Sequence, residues 1–170
     1  MAVSSSMPIV PFDSLPDASR VWIFGSDRAL MGADADRLLA EVDRFLAQWK
    51  AHGVPLTCAR EWRDQHLLTI GVDSTQESAS GCSIDGLFRV LQTLEHALSA
   101  RLVAGGRVFY RNEEGKVQCA ARADLTGLAA SGVVNEETPV FDTGLTTAKE
   151  WRQRFEAPAR DTWVSKLLHA

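Results

Sequence analysis

Cysteine is scarce in this chain, and its three residues, Cys58, Cys82 and Cys119, form no Cys-x-x-Cys. That spacing excludes a zinc knuckle or a paired redox motif, and an odd count suits a reducing compartment, so a cytoplasmic location is expected. His52, His66, His96 and His169 make no metal-spaced pair, and neither metal nor cofactor is expected. Positive charge is short as well: 18 Lys and Arg face 22 Asp and Glu, for a net charge of -4. A duplex-binding face usually needs a basic surplus, so nucleic acid is disfavoured as a partner. No apolar run approaches the length of a membrane span, which argues against a membrane partner. The first 19 residues hold no Lys or Arg ahead of a hydrophobic stretch, and Pro8, Pro11 and Pro16 interrupt them. They read as a flexible arm, not a signal peptide. A phosphate loop is missing too. The only Gly-Lys pair, Gly115-Lys116, is followed by Val117, which removes the cradle that an ATPase needs.

What is present is an ordinary globular composition: 170 residues, 45% hydrophobic and 24% charged. That is room for one domain, or a domain with a small module. Val21-Trp22-Ile23-Phe24 reads as a buried-type strand ending at Gly25. Leu38, Leu39, Val42, Phe45, Leu46 and Trp49 recur at helical spacing after Asp34, and Gly53 with Pro55 stops that helix. Leu56 to Trp62 and Leu67 to Val72 read as two strands around a turn at 63–66. Leu87, Val90, Leu91, Leu94 and Leu98 make the face of a second helix, broken at Gly105-Gly106. Arg107 to Arg111 and Lys116 to Ala120 form a hairpin, a short helix follows at 125–130, and 138–142 is extended. Thr147 and Glu150 have capping-box spacing.

The order strand, helix, strand, strand, helix, strand suits an α+β ferredoxin-like sandwich, βαββαβ, with two helices on one face of an antiparallel sheet. The expected units are an arm at 1–19, the sandwich at 20–106, and an appendage with the C-terminal tail at 107–170 that shares a strand with the main sheet. In this arrangement the first and third strands are the central pair and run the same way. Two loops, Gly25-Ser26-Asp27-Arg28 and Gly81-Cys82-Ser83-Ile84-Asp85, then meet at one edge, each leading into a helix start. Ser26, Arg28, Cys82 and Ser83 are the resulting anion-binding candidates. Ser83 is the expected N-cap, with Asp85 in the first turn. Cys82 is the candidate nucleophile, although no base is placed beside it and Asp27 and Asp85 oppose a thiolate.

Val21-Trp22-Ile23-Phe24 with Ser26-Asp27-Arg28, Phe45-Leu46-Ala47-Gln48-Trp49, Ala51-His52-Gly53-Val54-Pro55-Leu56 and Gly81-Cys82-Ser83-Ile84-Asp85 together resemble a bacterial family of no established activity. Its members often carry the label ABC transporter ATPase, which the missing phosphate loop contradicts here. Residues 110–159 are similar to the bacterial variant of the GYF-type peptide-binding module. The likeness rests on Tyr110, Gly115, Leu125, Leu128, Gly132-Val133, Thr138-Pro139-Val140-Phe141, Trp151 and Pro158-Ala159. It departs from the module at Gln118-Cys119 and at Phe141. The resemblance implies an exposed aromatic groove at Tyr110 and Trp151 for proline-bearing peptides.

The reading that results is a cytoplasmic, non-catalytic binding or adaptor protein for a protein partner, a peptide or a small anion. Two alternatives stand beside it. One is a thiol-dependent enzyme using Cys82. The other is a single-stranded RNA binder using Trp22 and Phe24 as a platform on the sheet.

Overall fold

A computed structural model describes residues 9–75, 77–103 and 105–169. Its elements are β1 (Arg20–Gly25), α1 (Ala33–Leu46), β2 (Lys50–Ala51), β3 (Val54–Pro55), β4 (Cys58–Arg63), β5 (Leu67–Val72) and α2 (Gly81–Leu98), followed by β6 (Arg107–Arg111), β7 (Val117–Ala121), α3 (Leu125–Ala130), β8 (Pro139–Phe141), α4 (Ala148–Arg154), β9 (Glu156–Pro158) and α5 (Ser165–Leu168). The class is α+β. One sheet has the order β1-β5-β4, a second the order β7-β6-β8-β9, and β2 and β3 pair by themselves.

The first sheet is the middle layer of the molecule. Every residue of its central strand, Leu67 to Val72, is buried, as a strand covered on both faces requires. Leu68, Ile70 and Val72 point to one side, where Leu38, Val42 and Leu46 of α1 and Leu87, Leu91, Leu94 and Leu98 of α2 pack. Both helices therefore cover the same face, as their single apolar stripes demand. Each fully buried leucine there contributes roughly 1.5–3 kcal/mol. On the other side the Trp151 indole N–H donates to the Thr69 hydroxyl at 3.0 Å. A Cβ at Gly71 would lie 2.5 Å from Leu15 Cδ1, so the close approach of residues 12–15 needs a glycine.

The second sheet completes that other face. Phe109 of β6 and Phe141 of β8 join Val21, Leu67, Trp151 and Phe155 in one cluster. Val108, Tyr110 and Val140 turn away into a third cluster with Leu125 and Val134. β6 therefore pairs with β7 and β8, not with β1, and the expected shared strand is absent. Its apolar residues lie on both faces, so it needs cover on both. The hairpin with β7 and the layer beneath Phe109 supply that cover. The main-chain links to the first sheet come instead from Arg20↔Thr147 and the bonds around it.

Residues 9–19 are not a free arm. Ile9 bridges Cys58, and Phe12 and Leu15 are buried against Trp151 and Gly71, because these apolar side chains find a surface to cover. Residues 1–8 of the expected arm lie outside the described residues. Among the described residues no helix is long and apolar enough to cross a membrane.

Candidate functional site

The outer edge of β1 leaves main-chain hydrogen-bonding groups without a described partner. Along a strand, alternate residues turn their N–H and C=O to opposite edges. Val21 N donates to Thr146 O at 2.9 Å and Ser19 O accepts from Ala148 N at 2.9 Å, so the odd-numbered residues face away from β5. Asp27 N, six residues further on, donates outward to Arg101 O at 3.2 Å. Between these two anchors, Ile23 and Gly25 face the same way and bond no described main-chain group on that side. Trp22 and Phe24, of opposite parity, pair with Ile70 and Leu68 of β5.

This stretch forms the floor of a groove of about 350 Å³. Phe88 of α2 with Leu102 and Val103 makes one wall, and Phe109 with Leu145 makes the other. Phe88 is held edge-on to Phe24, with ring centroids 5.4 Å apart. Phe109 lies over Gly25 so closely that a Cβ at that position would sit 2.1 Å from the ring. Glycine is thus the residue that lets the second sheet approach the end of β1. Two charged residues line the groove, and both are arginines. Arg20 lies 5.4 Å over the Trp22 ring at one end. Arg107 lies at the other, 4.0 Å from Asp27, with a further bond to Arg101 O at 3.4 Å.

The anion-binding candidates do not come together. Adjacent strands β1 and β5 are antiparallel, with Gly25 opposite Leu67 and Arg20 opposite Val72. The loop after β1 and the loop after β5 therefore lie at opposite ends of the sheet. Arg28 donates to Leu98 O and pairs with Asp34 at 2.8 Å, so it caps the C-terminus of α2, where the dipole favours a cation. The Ser26 hydroxyl donates to Arg28 O at 2.6 Å and is spent within its own turn. At the far end Ser80, not Ser83, is the N-cap, accepting from Ser83 N at 3.2 Å. Asp85 accordingly falls beyond the first turn. Ser83 O also accepts from the Trp49 indole at 2.8 Å, tying the turn after α1 to α2.

Cys82 is exposed at the second position of α2 and has no described hydrogen-bond partner. Cys58 is the inert thiol of the set, pushed up to about 12 by burial. Tyr110 and Trp151 do not share an exposed groove. Both are buried, in different clusters: Tyr110 packs with Leu125 and Val134, Trp151 with Phe12 and Phe155. Strand alternation decides this, since Phe109 and Tyr110 must point to opposite sides of their sheet. The RNA platform is also absent from the first sheet. Phe24 is buried and Trp22 packs 6.1 Å from Trp49 under the helices.

A larger cavity of about 720 Å³ lies beside the β4–β5 turn and is lined by Trp62, His66 and Cys119 among others. Part of its polar rim is already engaged. Asp64 pairs with Arg111 at 2.9 Å, and the His66 Nδ1 lies 2.9 Å from Asp64 O. Burial raises the Cys119 thiol above its ordinary value, against the opposing pull of Arg107. Among the described residues no His, Cys, Asp and Glu cluster could hold a metal ion.

Reasoning from the sequence missed the β1 edge because it assigned residues 107–111 to cover it. One signal was present: residues 21–25 carry no charge, which is unusual for a strand that ends up at an edge. Comparison of the chain with protein-family models, with curated proteins and with solved structures finds no match.

Proposed function

We propose that this chain is a non-catalytic binding protein that accepts an extended segment of a partner protein as an added strand on β1. The observation that carries the reading is the outward-facing main chain of Ile23, set in a walled groove between two paired anchors. Strand addition uses such groups, with main-chain hydrogen bonds for affinity and flanking pockets for selectivity. The incoming strand would give the order partner-β1-β5-β4 under two helices, the ferredoxin-like sandwich that the chain's own β6 does not complete. Each hydrogen bond gained contributes about 0.5–1.5 kcal/mol net, and burial against Phe88, Phe109 and Leu145 adds to it. Three or four residues fit between the anchors at roughly 3.4 Å each. A second copy of the chain is a poor occupant, because the walls recess the edge that two flat sheets would have to join. The phosphate-loop absence argues against an ATPase, and the separation of Arg28 from Cys82 argues against an anion site.

The test is selection of random extended peptides against the full chain, followed by amide hydrogen exchange of the complex. Exchange at Ile23 and Gly25 is expected to be fast in the free protein and to slow at least tenfold when a selected peptide binds. Trp22 and Phe24 should be slow in both states. Failure to select any peptide, or binding that leaves the Ile23 amide unprotected, overturns the proposal.

A further inference from the structure

We infer that the segment taken up by β1 is apolar at its centre and acidic at both ends, an inference that rests on the strand-addition reading. The centre follows from the walls. Residues of an added strand point alternately to the two faces of the sheet, and cross-strand neighbours share a face. The residue opposite Ile23 thus points to the side of Phe109 and Leu145, and its two neighbours point to the side of Phe88, Leu102 and Val103. Both sides are apolar, so a polar side chain in the middle would be desolvated without a partner.

The ends follow from charge. Arg20 and Arg107 are the charged residues that line the groove, and no carboxylate lines it among the described residues. Arg20 forms no described ion pair and is held over Trp22 at the rim. Arg107 keeps its Asp27 neighbour at 4.0 Å, so it contributes a weaker field at the Gly25 end. From Arg20 to Gly25 the strand spans about 17 Å, which matches acidic residues four or five positions apart on an extended peptide. The local charge is opposite in sign to the chain's net -4, so acidic segments are drawn to this groove against the overall field.

The experiment uses three fluorescein-labelled synthetic peptides with the same Val-Ile-Val centre and flanking pairs of Glu, Gln or Lys. Each is titrated against the full chain by anisotropy at ionic strengths of about 0.01 M and 0.15 M. The Glu peptide is expected to bind about tenfold more tightly than the Lys peptide at low salt, with Gln between them and the ratio shrinking at higher salt. Arg20→Gln should reduce that ratio and Arg20→Glu should invert it, while Arg20, being exposed, leaves the fold intact. Equal binding of all three peptides, abolished by Ile23→Pro, overturns the acidic inference and leaves strand addition standing. Failure of all three, while library selection yields peptides that protect the Ile23 amide, does the same. If selection fails as well, both fall. Displacement of the Glu peptide by a polyuridylate oligonucleotide, in a manner indifferent to Ile23→Pro, also overturns the inference and assigns the arginines to nucleic acid.

Discussion

The first sheet has two edges built from opposite materials. At β4 the run Arg60-Glu61-Trp62-Arg63 carries charge at three of four positions. Arg60 pairs with Asp43 at 2.6 Å and Arg63 with Glu61 at 3.1 Å, and Ile9 bridges the start of the strand. At β1 the run Val21-Trp22-Ile23-Phe24-Gly25 has no charge at all. Charged side chains are a common protection for edges that must not recruit another strand. β4 carries that protection, whereas the corresponding stretch of β1 is uncharged and lies between the walls formed by Phe88, Leu102 and Val103 and by Phe109 and Leu145. Between its paired ends at Val21 and Asp27 the β1 edge is thus apolar and recessed, which is the feature that the strand-addition proposal rests on.

The sharpest way to break this comparison is to remove one outward N–H from each edge. Ile23→Pro deletes the donor at β1 and should reduce peptide affinity by about tenfold or more, since it loses a hydrogen bond and obstructs the lane. Arg60→Pro makes the matching change at β4 and should leave affinity within about twofold. Proline is tolerated at edges where the N–H is unpaired, so circular dichroism of both variants should stay native. Equal loss of binding in the two variants would falsify the distinction between the edges.

A smaller effect is expected from filling the glycine under Phe109. Gly25→Val forces the ring away from the end of β1 and should cost about 1–3 kcal/mol, read as a lowered urea midpoint. Arg63→Val, at the corresponding end of β4, loses a partly exposed ion pair and its stacking on Trp151, centred at 4.9 Å, and should cost less. If Gly25→Val proves as stable as wild type, the close seating of the second sheet on β1 is refuted.

The smallest effect is a pH dependence at Glu61 of β4. Burial pushes the Glu61 carboxyl above its ordinary value, with Arg63 pulling the other way, and Glu61 Oε2 has no described partner. A raised folded-state value means the folded protein holds this proton more tightly than the unfolded chain does. Its contribution is therefore favourable at low pH and is lost as pH rises through the carboxylate range, from about 4.3 upward. Glu61→Gln should remove this slope and change stability at neutral pH by less than about 1 kcal/mol. Glu150 has the reverse sign: Arg154 and the capping hydroxyls hold it down at about 2, so its contribution is lost as pH falls toward that value. Urea titrations across the acid range would separate the two. A Glu61→Gln profile parallel to wild type would rule out the assignment.

Local features were legible because short-range chemistry decides them. The β4–β5 and β6–β7 hairpins, the second amphipathic helix and the Thr147–Glu150 capping pair stand close to where alternation, spacing and turn residues put them. By contrast, α1 ends at Leu46, short of the expected stop at Gly53, because Lys50–Ala51 pairs with Val54–Pro55. The anion site was misread through strand direction. Neighbours β1 and β5 are antiparallel, which sends Arg28 and Cys82 to opposite ends. The aromatic groove was misread through facing, because the burial of Tyr110 and Trp151 depends on which layers cover their sheet.

By itself the sequence determined an α+β chain with two helices on one face of a sheet and no phosphate loop, since periodicity and composition act within a few residues. Only the tertiary structure decided that β6 would leave β1 and join β7 and β8. Both placements satisfy the strand's local preferences. The choice rests on long-range packing: Phe109 finds cover over Gly25 and Phe141, Tyr110 finds it over Leu125, and β1 stays an edge strand of the first sheet.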